Sequence, residues 1–359
     1  MNTDTLTFDQ IGLIFNDATT RLVGGITDKN KQPVLQDIGQ IQSSLTALMQ
    51  AHPEQFQGVA GIHAQNIVDQ LNLETSAIKS LGTDPFAAKY INDVQRDLID
   101  IVHGDQGLAA LASQGGHSGF APVPGLLAAP APFQGSAEQT AFMANFVKTT
   151  QDFASRAIAI ADNGGTAAEK QQLVADMQTF AAGANAFTQA QGGLYSARFN
   201  NEFAQDGVNG TATRALIDGL TTGNTDKIHA AVQVLTANAP DVAGNMLPAG
   251  ATPAPVSSGI PDKIASFAEA GTVFNDATTK LIGGIYDGNR QSIHDDLTAT
   301  RQGIQDLLAQ SPTAFQGRAG ADANRIVSLL DQELKIVDGQ PTAASSTQLH
   351  DIHSKIIGI

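Results

Sequence analysis

The stretch FNDATTRLVGGITDKNKQ at residues 15–32 recurs as FNDATTKLIGGIYDGNRQ at residues 274–291. The match runs without a gap between Phe8–Glu74 and Phe267–Glu333, and about 28 of these positions are identical. Identity at this level between two parts of one chain indicates a repeated structural unit, which has to be recognised before single elements are assigned. We therefore take the duplication as the starting point for the fold.

The repeat continues beyond this segment and has a weaker relative in the middle of the chain. After one deletion, residues 91–94 (INDV) align with residues 349–352 (LHDI). In the middle, LIDGL at residues 216–220, Gly223-Asn224 and Ile228-His229 follow the pattern of residues 281–294. The sequence thus predicts two close copies and a divergent third copy between them.

Apolar residues in both outer copies recur three or four positions apart, which is the spacing of one face of a helix. The first such stripe comprises Phe8, Ile11, Phe15, Ala18, Leu22 and Ile26. Three similar stripes follow in the first copy, whereas no comparable alternating strand pattern occurs. The prediction is an all-α fold of tandem up-down bundles, with four helices of about 15–22 residues per outer copy joined by short loops.

Two stretches without any Asp, Glu, Lys or Arg, residues 114–135 and 248–261, are rich in proline. Proline fixes φ and lacks the backbone N–H, so neither stretch suits a helix interior. We expect both to be linkers. They divide the chain into a first helical bundle at residues 1–113, a divergent helical domain at 136–247 and a second bundle at 262–359.

The composition restricts the classes of function. The net charge of −15 is spread over all three blocks, which disfavours binding to nucleic acid or to anionic membrane surfaces. The lack of cysteine excludes disulfides, thiolate catalysis and cysteine-based zinc sites. No apolar run reaches the roughly 20 residues of a membrane span, and the N-terminus lacks the pattern of a signal peptide.

Small and uncharged polar residues dominate the chain, and lysine is scarce. This balance resembles that of bacterial surface or secreted repeat proteins. It favours an extracellular or cell-surface location, with the cytoplasm as the alternative.

Both outer copies keep an Asp-x-Asn turn, formed by Asp28 and Asn30 and by Asp287 and Asn289. Its alternating oxygen atoms suggest calcium. However, neither copy has the glycine at position six or the acid at position twelve that an EF-hand loop requires. Asp and Asn are common N-cap residues, so helix capping is the favoured interpretation and calcium the alternative.

The polar residues of the FNDATT segment are conserved between the copies although core packing does not require them. Two interpretations remain open: hydrogen bonds between helices of one bundle, or a surface that docks a neighbouring copy. Thr19 belongs to this group because it, too, is expected to face away from the apolar stripe. The candidate interaction surface comprises Asn16, Asp17, Thr20, Asn275, Asp276 and Thr279.

No pattern of catalytic residues stands out. The pair His350-x-x-His353 aligns with Asn92 and Gln95, so the repeat does not keep it. Phosphate-binding, dinucleotide and serine-nucleophile motifs are absent, and so are the Glu-x-x-His pairs of di-iron bundles. The sequence predicts no enzyme and no cofactor. It favours a structural or interaction protein acting in assembly or adhesion, with self-association or another protein as partner. An ion- or ligand-binding module is the alternative, and an enzyme with a site assembled between blocks ranks last.

Overall fold

The computed structural model describes residues 6, 8–81, 85–103, 133–134, 136–191, 208–244, 246–247, 260–286, 289–340 and 342–359. Twelve helices occur in this part of the chain. They are α1 (Phe8–Leu22), α2 (Lys31–Ala51), α3 (Gly58–Leu81), α4 (Pro85–His103), α5 (Ala137–Asn163), α6 (Ala167–Gln191), α7 (Val208–Thr222), α8 (Thr225–Gly244), α9 (Phe267–Leu281), α10 (Arg290–Gln310), α11 (Arg318–Asp338) and α12 (Ala343–Ile357).

The prediction of an all-α fold built from helical bundles is confirmed. Each outer block contains four helices, and the two sets follow the same spacing along the chain. Helices α1 and α9 begin at residues 8 and 267 and end at 22 and 281, so both offsets are 259. Helices α2 and α10, with bounds 31–51 and 290–310, share that offset.

The duplicated Gly-Gly pair ends the first helix of each copy. Gly24 and Gly25 have φ values of 84° and 102°, and Gly283 and Gly284 have values of 81° and 113°. These left-handed conformations are costly for residues with a Cβ, and they end the helical path. In the middle block Asp218 stands where the first glycine would be, and α7 continues to Thr222 before it ends.

The two outer copies share one hydrophobic core. Fully buried residues of the first copy, such as Leu22 and Leu98, belong to the same cluster as Leu281 and Leu330 of the second. The middle block has a core of its own, which also includes Ile62 from α3. The outer copies are therefore packed against each other and are not two separately folded domains.

The middle block differs from a collinear third copy. Its similarity to the repeat covers α7 and α8, which are the last two helices of the block. Their counterparts, α9 and α10, are the first two helices of their bundle. The only strands in the described part, β1 (Phe133–Gln134) and β2 (Met246–Leu247), pair in parallel and bring the two ends of this block together. The rest of the expected linkers, residues 114–132 and 248–259, lies outside the described residues.

Candidate functional site at the junction of the copies

The loops that follow α1 and α9 meet at a junction between the two copies. Val23 and Ile282, which are equivalent residues, form an antiparallel bridge. The Gly24 N–H donates to the Leu281 carbonyl at 2.9 Å, and the Gly283 N–H donates to the Leu22 carbonyl, also at 2.9 Å. The backbone contact is therefore the same when the two copies are exchanged.

Side chains of the fourth helices repeat this exchange. The Asn92 Nδ2 of α4 donates to the Thr279 carbonyl at 3.0 Å and to the Ile282 carbonyl at 2.9 Å. In α12, His350 occupies the aligned position, and its Nδ1 lies 3.1 Å from the Val23 carbonyl. A carbonyl oxygen only accepts, so this ring nitrogen carries the proton. The Asn92 amide of the first copy thus binds a carbonyl of the second copy, and the His350 imidazole of the second copy binds the equivalent carbonyl of the first.

The glycines are required at this junction because backbone of the other copy lies directly against them. A Cβ at Gly24 would lie 3.0 Å from the backbone nitrogen of His350, and one at Gly283 would lie 2.3 Å from the Ala88 carbonyl oxygen. A side chain at either position would push the copies apart. Contact between the copies accounts for the glycine pair more fully than the end of a helix does.

Asn30 occupies the N-cap position of α2, but its side chain makes no capping hydrogen bond. Its Nδ2 donates to the carbonyls of Arg21 and Gly25 at 2.7 and 2.8 Å, and its Oδ1 accepts the Thr27 N–H at 2.6 Å. The expected side-chain cap is therefore replaced by a clamp that holds the Gly-Gly loop in shape for the junction.

Asn289 repeats the clamp in the second copy. Its Nδ2 donates to the carbonyls of Lys280 and Gly284, and its Oδ1 accepts the Tyr286 N–H at 2.8 Å. Here too the side chain makes no capping bond to α10. The amides of both Asn residues are thus engaged by the chain itself. Asp28 is exposed, and Asp287 lies outside the described residues. No three His, Asp or Glu residues of the described part gather as metal ligands would.

Behind the junction, each copy buries a carboxyl group within a polar network. In the first copy, the Gln95 Nε2 donates to both Glu74 carboxyl oxygens at 2.8 Å. The Thr19 hydroxyl lies 3.2 Å from the Gln95 Oε1 and 2.9 Å from the Phe15 carbonyl. Burial raises the pKa of Glu74 to about 8, and the hydrogen bond from Gln95 opposes this shift. Thr19 therefore links α1 to α4, although it was expected to face outward.

In the second copy the equivalent network contains a histidine. The His353 Nδ1 lies 2.7 Å from the Glu333 Oε1, and its Nε2 lies 2.9 Å from the Thr278 hydroxyl. Its ring stacks on Phe274 at a centroid distance of 4.6 Å. The order of hydroxyl, imidazole and carboxylate is that of a catalytic triad. However, His353 and Glu333 are 1% and 0% exposed, so substrate has no access, and the arrangement acts as a structural network.

In the first copy, the side chains of the candidate interaction surface make hydrogen bonds and ion pairs within α1. Asn16 and Asp17 are exposed, and Asp17 forms an ion pair with Arg21 one turn later. The Thr20 hydroxyl donates to the Asn16 carbonyl within α1. These side chains make local contacts and take no part in the junction.

Asp276 and Thr279 of the second copy are more buried than Asp17 and Thr20, whereas Asn275 is exposed. Lys280 lies between Asp276 and the almost fully buried Asp296. Burial raises the pKa of Asp296 to about 6, and the hydrogen bond from Lys280 opposes this shift. The Thr279 hydroxyl donates to the Asn275 carbonyl, and Thr279 contributes its own carbonyl to the junction. Neither interpretation made from sequence therefore covers all six residues.

A cleft of about 590 Å³ lies between the first copy and the middle block. Its walls come from α2 and α3 on one side and from α7 and α8 on the other, with Phe56 on the first side and Arg214 and Lys227 on the second. Next to it, the Asp69 carboxylate of α3 accepts hydrogen bonds from Thr211, at 2.7 Å, and from Arg214. These contacts attach the middle block to α3.

A second cavity, of about 430 Å³, lies inside the middle block. Phe146, Phe153 and Phe180 contribute to its wall, and Arg214 also reaches it. The neighbouring pair Phe142 and Phe187 stacks at 4.0 Å. This cavity is largely apolar and is built from residues that the outer copies do not share.

Comparisons with protein-family models, curated proteins and solved structures find no match for the chain. Among the described helices, none combines the length and the apolar character needed to cross a lipid bilayer.

Sequence reasoning missed several residues of the junction and its networks. Asn92 and Gln95 were passed over because the second copy has histidines at these positions, and identity between copies was the signal used. Glu74 and Glu333 are identical, and their place among apolar residues of a predicted helix could have marked them as buried acids. Which backbone atoms they approach depends on packing between helices far apart in sequence.

Proposed function

We propose that the chain is a non-enzymatic structural or interaction protein, whose duplicated helical units form a scaffold for assembly or adhesion. One observation carries this proposal: conserved residues of the repeat hold the two copies together. Gly24 and Gly283 accommodate the opposing backbone, while Asn30 and Asn289 fix the loops that bring it there. These conserved residues therefore maintain the packing of the two copies, as expected for a scaffold.

The buried titratable residues also support this proposal. Glu74 and Glu333 are 0% exposed and lie in networks that stabilise the packing of helices within each copy. The walls of the two cavities described above do not include these carboxyl groups. An extracellular or cell-surface location fits the composition, and a cytoplasmic one is the alternative.

Light scattering coupled to size-exclusion chromatography tests the proposal over a wide range of protein concentration. The same samples are applied to bacterial cells and to cell-wall polymers. We expect the mass to rise with concentration, or the protein to be retained on one of these surfaces. A monomer at every concentration that binds to none of them would overturn the proposal.

The cleft next to α3 favours binding of a small ligand as a second candidate function. Its volume lies in the range typical of ligand pockets, roughly 300–1,000 Å³. Lys227 and Asp218 form an ion pair in its wall, and Asp226 lies nearby, so the charges suit a zwitterionic ligand. A thermal-shift screen of amino acids and dipeptides tests this function. A hit has to weaken in Lys227→Ala and persist in Lys335→Ala, whose site is in the second copy.

Calcium binding at the Asp-x-Asn turns remains an alternative with less support, since the Asn30 side chain is engaged by the loop. Titration calorimetry with calcium chloride on the wild type and on Asp28→Asn decides it. If neither protein gives heat or a change in melting temperature, the alternative is removed.

A further inference from the structure

We infer that the junction is a self-complementary interface, so that the junction face of the first copy accepts the same face of a second chain once its own second copy is displaced. This inference rests on the proposed function, because it names the partner in assembly as another copy of this chain. The junction face is defined here as the loop after α1 together with the side of α4 that contains Ala88 and Asn92.

Val23 lies where a two-fold axis between the copies would pass. In an isologous interface, a residue on the two-fold axis meets its own equivalent. Val23 pairs with Ile282, which is its counterpart in the repeat. The two hydrogen bonds that flank this pair join Gly24 to Leu281 and Gly283 to Leu22, at the same length of 2.9 Å. Copying the first unit onto the second therefore places Val23 of one chain against Val23 of the other.

The acceptors of the hydrogen bonds that Asn92 and His350 make at the junction are backbone carbonyls. Asn92 donates to the Ile282 carbonyl, and the equivalent carbonyl of the first copy belongs to Val23. His350 already uses the Val23 carbonyl as its acceptor. In a pair of first copies, each Asn92 would donate to the Val23 carbonyl of the other chain. No side chain specific to the second copy is needed.

The first copy also meets the steric requirement of the contact. Gly283 lies against the Ala88 carbonyl, and Gly24 lies against the equivalent carbonyl of Ser346. The first copy thus contains both the glycine and the small residue that the contact requires. Two first copies can approach each other as closely as the first and second copies do in one chain.

In the intact chain this surface is occupied. The second copy is part of the same chain, so it competes for this face as an intramolecular partner. A second chain therefore binds only when the tethered copy is prevented from docking. The experiment has to displace the second copy and leave the first copy unchanged.

Gly283→Val displaces the second copy, since its side chain would collide with the Ala88 carbonyl and its backbone φ is 81°. Val23→Cys then reports the contact in a chain that has no other cysteine. Val23 is flanked by hydrogen bonds and is not itself hydrogen-bonded to its partner, so the Cα atoms lie about 4.5 Å apart, at the short end of the disulfide range.

We expect Val23→Cys with Gly283→Val to double in mass and to form a disulfide between position 23 of two chains under mild oxidation. Val23→Cys alone should remain uncrosslinked. The matched control is Leu13→Cys with Gly283→Val, because Leu13 is 70% exposed on α1 and outside the junction. Equal crosslinking at both positions indicates aggregation and would overturn the inference, as would a monomer without crosslink.

A second variant guards against misfolding caused by the bulky side chain. His350→Asp places a carboxylate against the Val23 carbonyl and leaves Asn92 intact, and circular dichroism confirms that the helices persist. Val23→Cys should crosslink in this background too, and adding Gly24→Val should abolish the crosslink. Light scattering of the wild type separates the proposals. If the wild type is monomeric and binds nothing while the variants crosslink, only the proposed function is removed. If the wild type assembles or binds while the variants do not crosslink, only this inference is removed.

Discussion

The buried networks of the two copies occupy the same backbone site and differ in one side chain. Glu74 is paired with the amide of Gln95, whereas Glu333 is paired with the imidazole of His353. All four residues are at most 1% exposed. A duplicated helix pair has therefore kept its buried acid and changed the group that satisfies it.

The difference shows how a buried carboxyl group is tolerated in two ways. An amide cannot carry positive charge, so burial dominates and raises the pKa of Glu74 to about 8. An imidazole can carry positive charge and can pair with a carboxylate. The two copies are thus expected to respond differently when the group that pairs with the buried acid is removed, although the sequences of their helices align.

Removing the partner of each acid should give the largest effect. His353→Ala leaves the Glu333 carboxyl without its imidazole, and the Oε2 of Glu333 already has no hydrogen-bond partner. We expect the free energy of unfolding to fall by about 3–5 kcal/mol. Gln95→Ala should cost about 1–3 kcal/mol, because protonation keeps Glu74 neutral. Urea denaturation at a pH between 4.5 and 8 measures both. Equal losses would contradict the comparison.

The buried Glu74 should make the stability of the protein depend on pH. Glu74 has a pKa of about 8 when folded and 4.5 as the reference, so the folded state holds the proton more tightly. Its stabilising contribution is full below pH 4.5 and is lost as the pH rises through 8, with a slope of up to about 1.4 kcal/mol per pH unit. Glu74→Gln should flatten this fall. Glu54→Gln, at an exposed site, should leave it unchanged.

The middle block contacts α3 of the first copy through Asp69, and α11, the equivalent helix of the second copy, lacks this residue. Asp69 receives hydrogen bonds from Thr211 and Arg214, and its counterpart in the second copy is the exposed Ser328. We expect Asp69→Ala to lower the free energy of unfolding by about 2–3 kcal/mol and Ser328→Ala to change it by less than about 0.5 kcal/mol. Chemical denaturation followed by circular dichroism checks this. A neutral Asp69→Ala would show that apolar contacts alone hold the block.

The smallest effect is expected at the ion pairs of α1 and α9. Asp17 is exposed and Arg21 is half-buried and keeps Asp37 as a second partner, so Asp17→Ala should cost less than about 0.5 kcal/mol. Asp276→Ala removes a carboxylate from the more buried Lys280, which keeps Asp296 as a partner. A loss of about 1 kcal/mol is expected. Thermal melts in low and high salt test the order, and a larger loss for Asp17→Ala would reverse it.

Much of the fold could be predicted because it is encoded locally. The spacing of Ile11, Phe15 and Leu22 places them on one face of a helix, and the Gly-Gly pair ends that helix in both copies. The arrangement of the middle block could not be predicted. The middle block resembles the repeat along α7 and α8, but the resemblance does not indicate whether these helices are the first or the last two of their bundle.

The candidate site was predicted only in part. Asn30 and Asn289 were identified from their conservation in the turn, but as caps or calcium ligands. The structure uses them as loop clamps, because the carbonyls they contact come together only when the loop folds over the start of the next helix. Asn92 and His350 were aligned but set aside, since an amide and an imidazole look unrelated until both are seen to donate to the same kind of carbonyl.

The sequence by itself determined the duplication and the helices, because the apolar periodicity of a helix depends on neighbouring residues. Only the tertiary structure decided that the two copies share one core and meet through an exchanged backbone bridge between Val23 and Ile282. It also decided which buried acid is paired with which group. These features depend on surfaces that are 259 residues apart in the chain, and their complementarity exists only after the helices have packed.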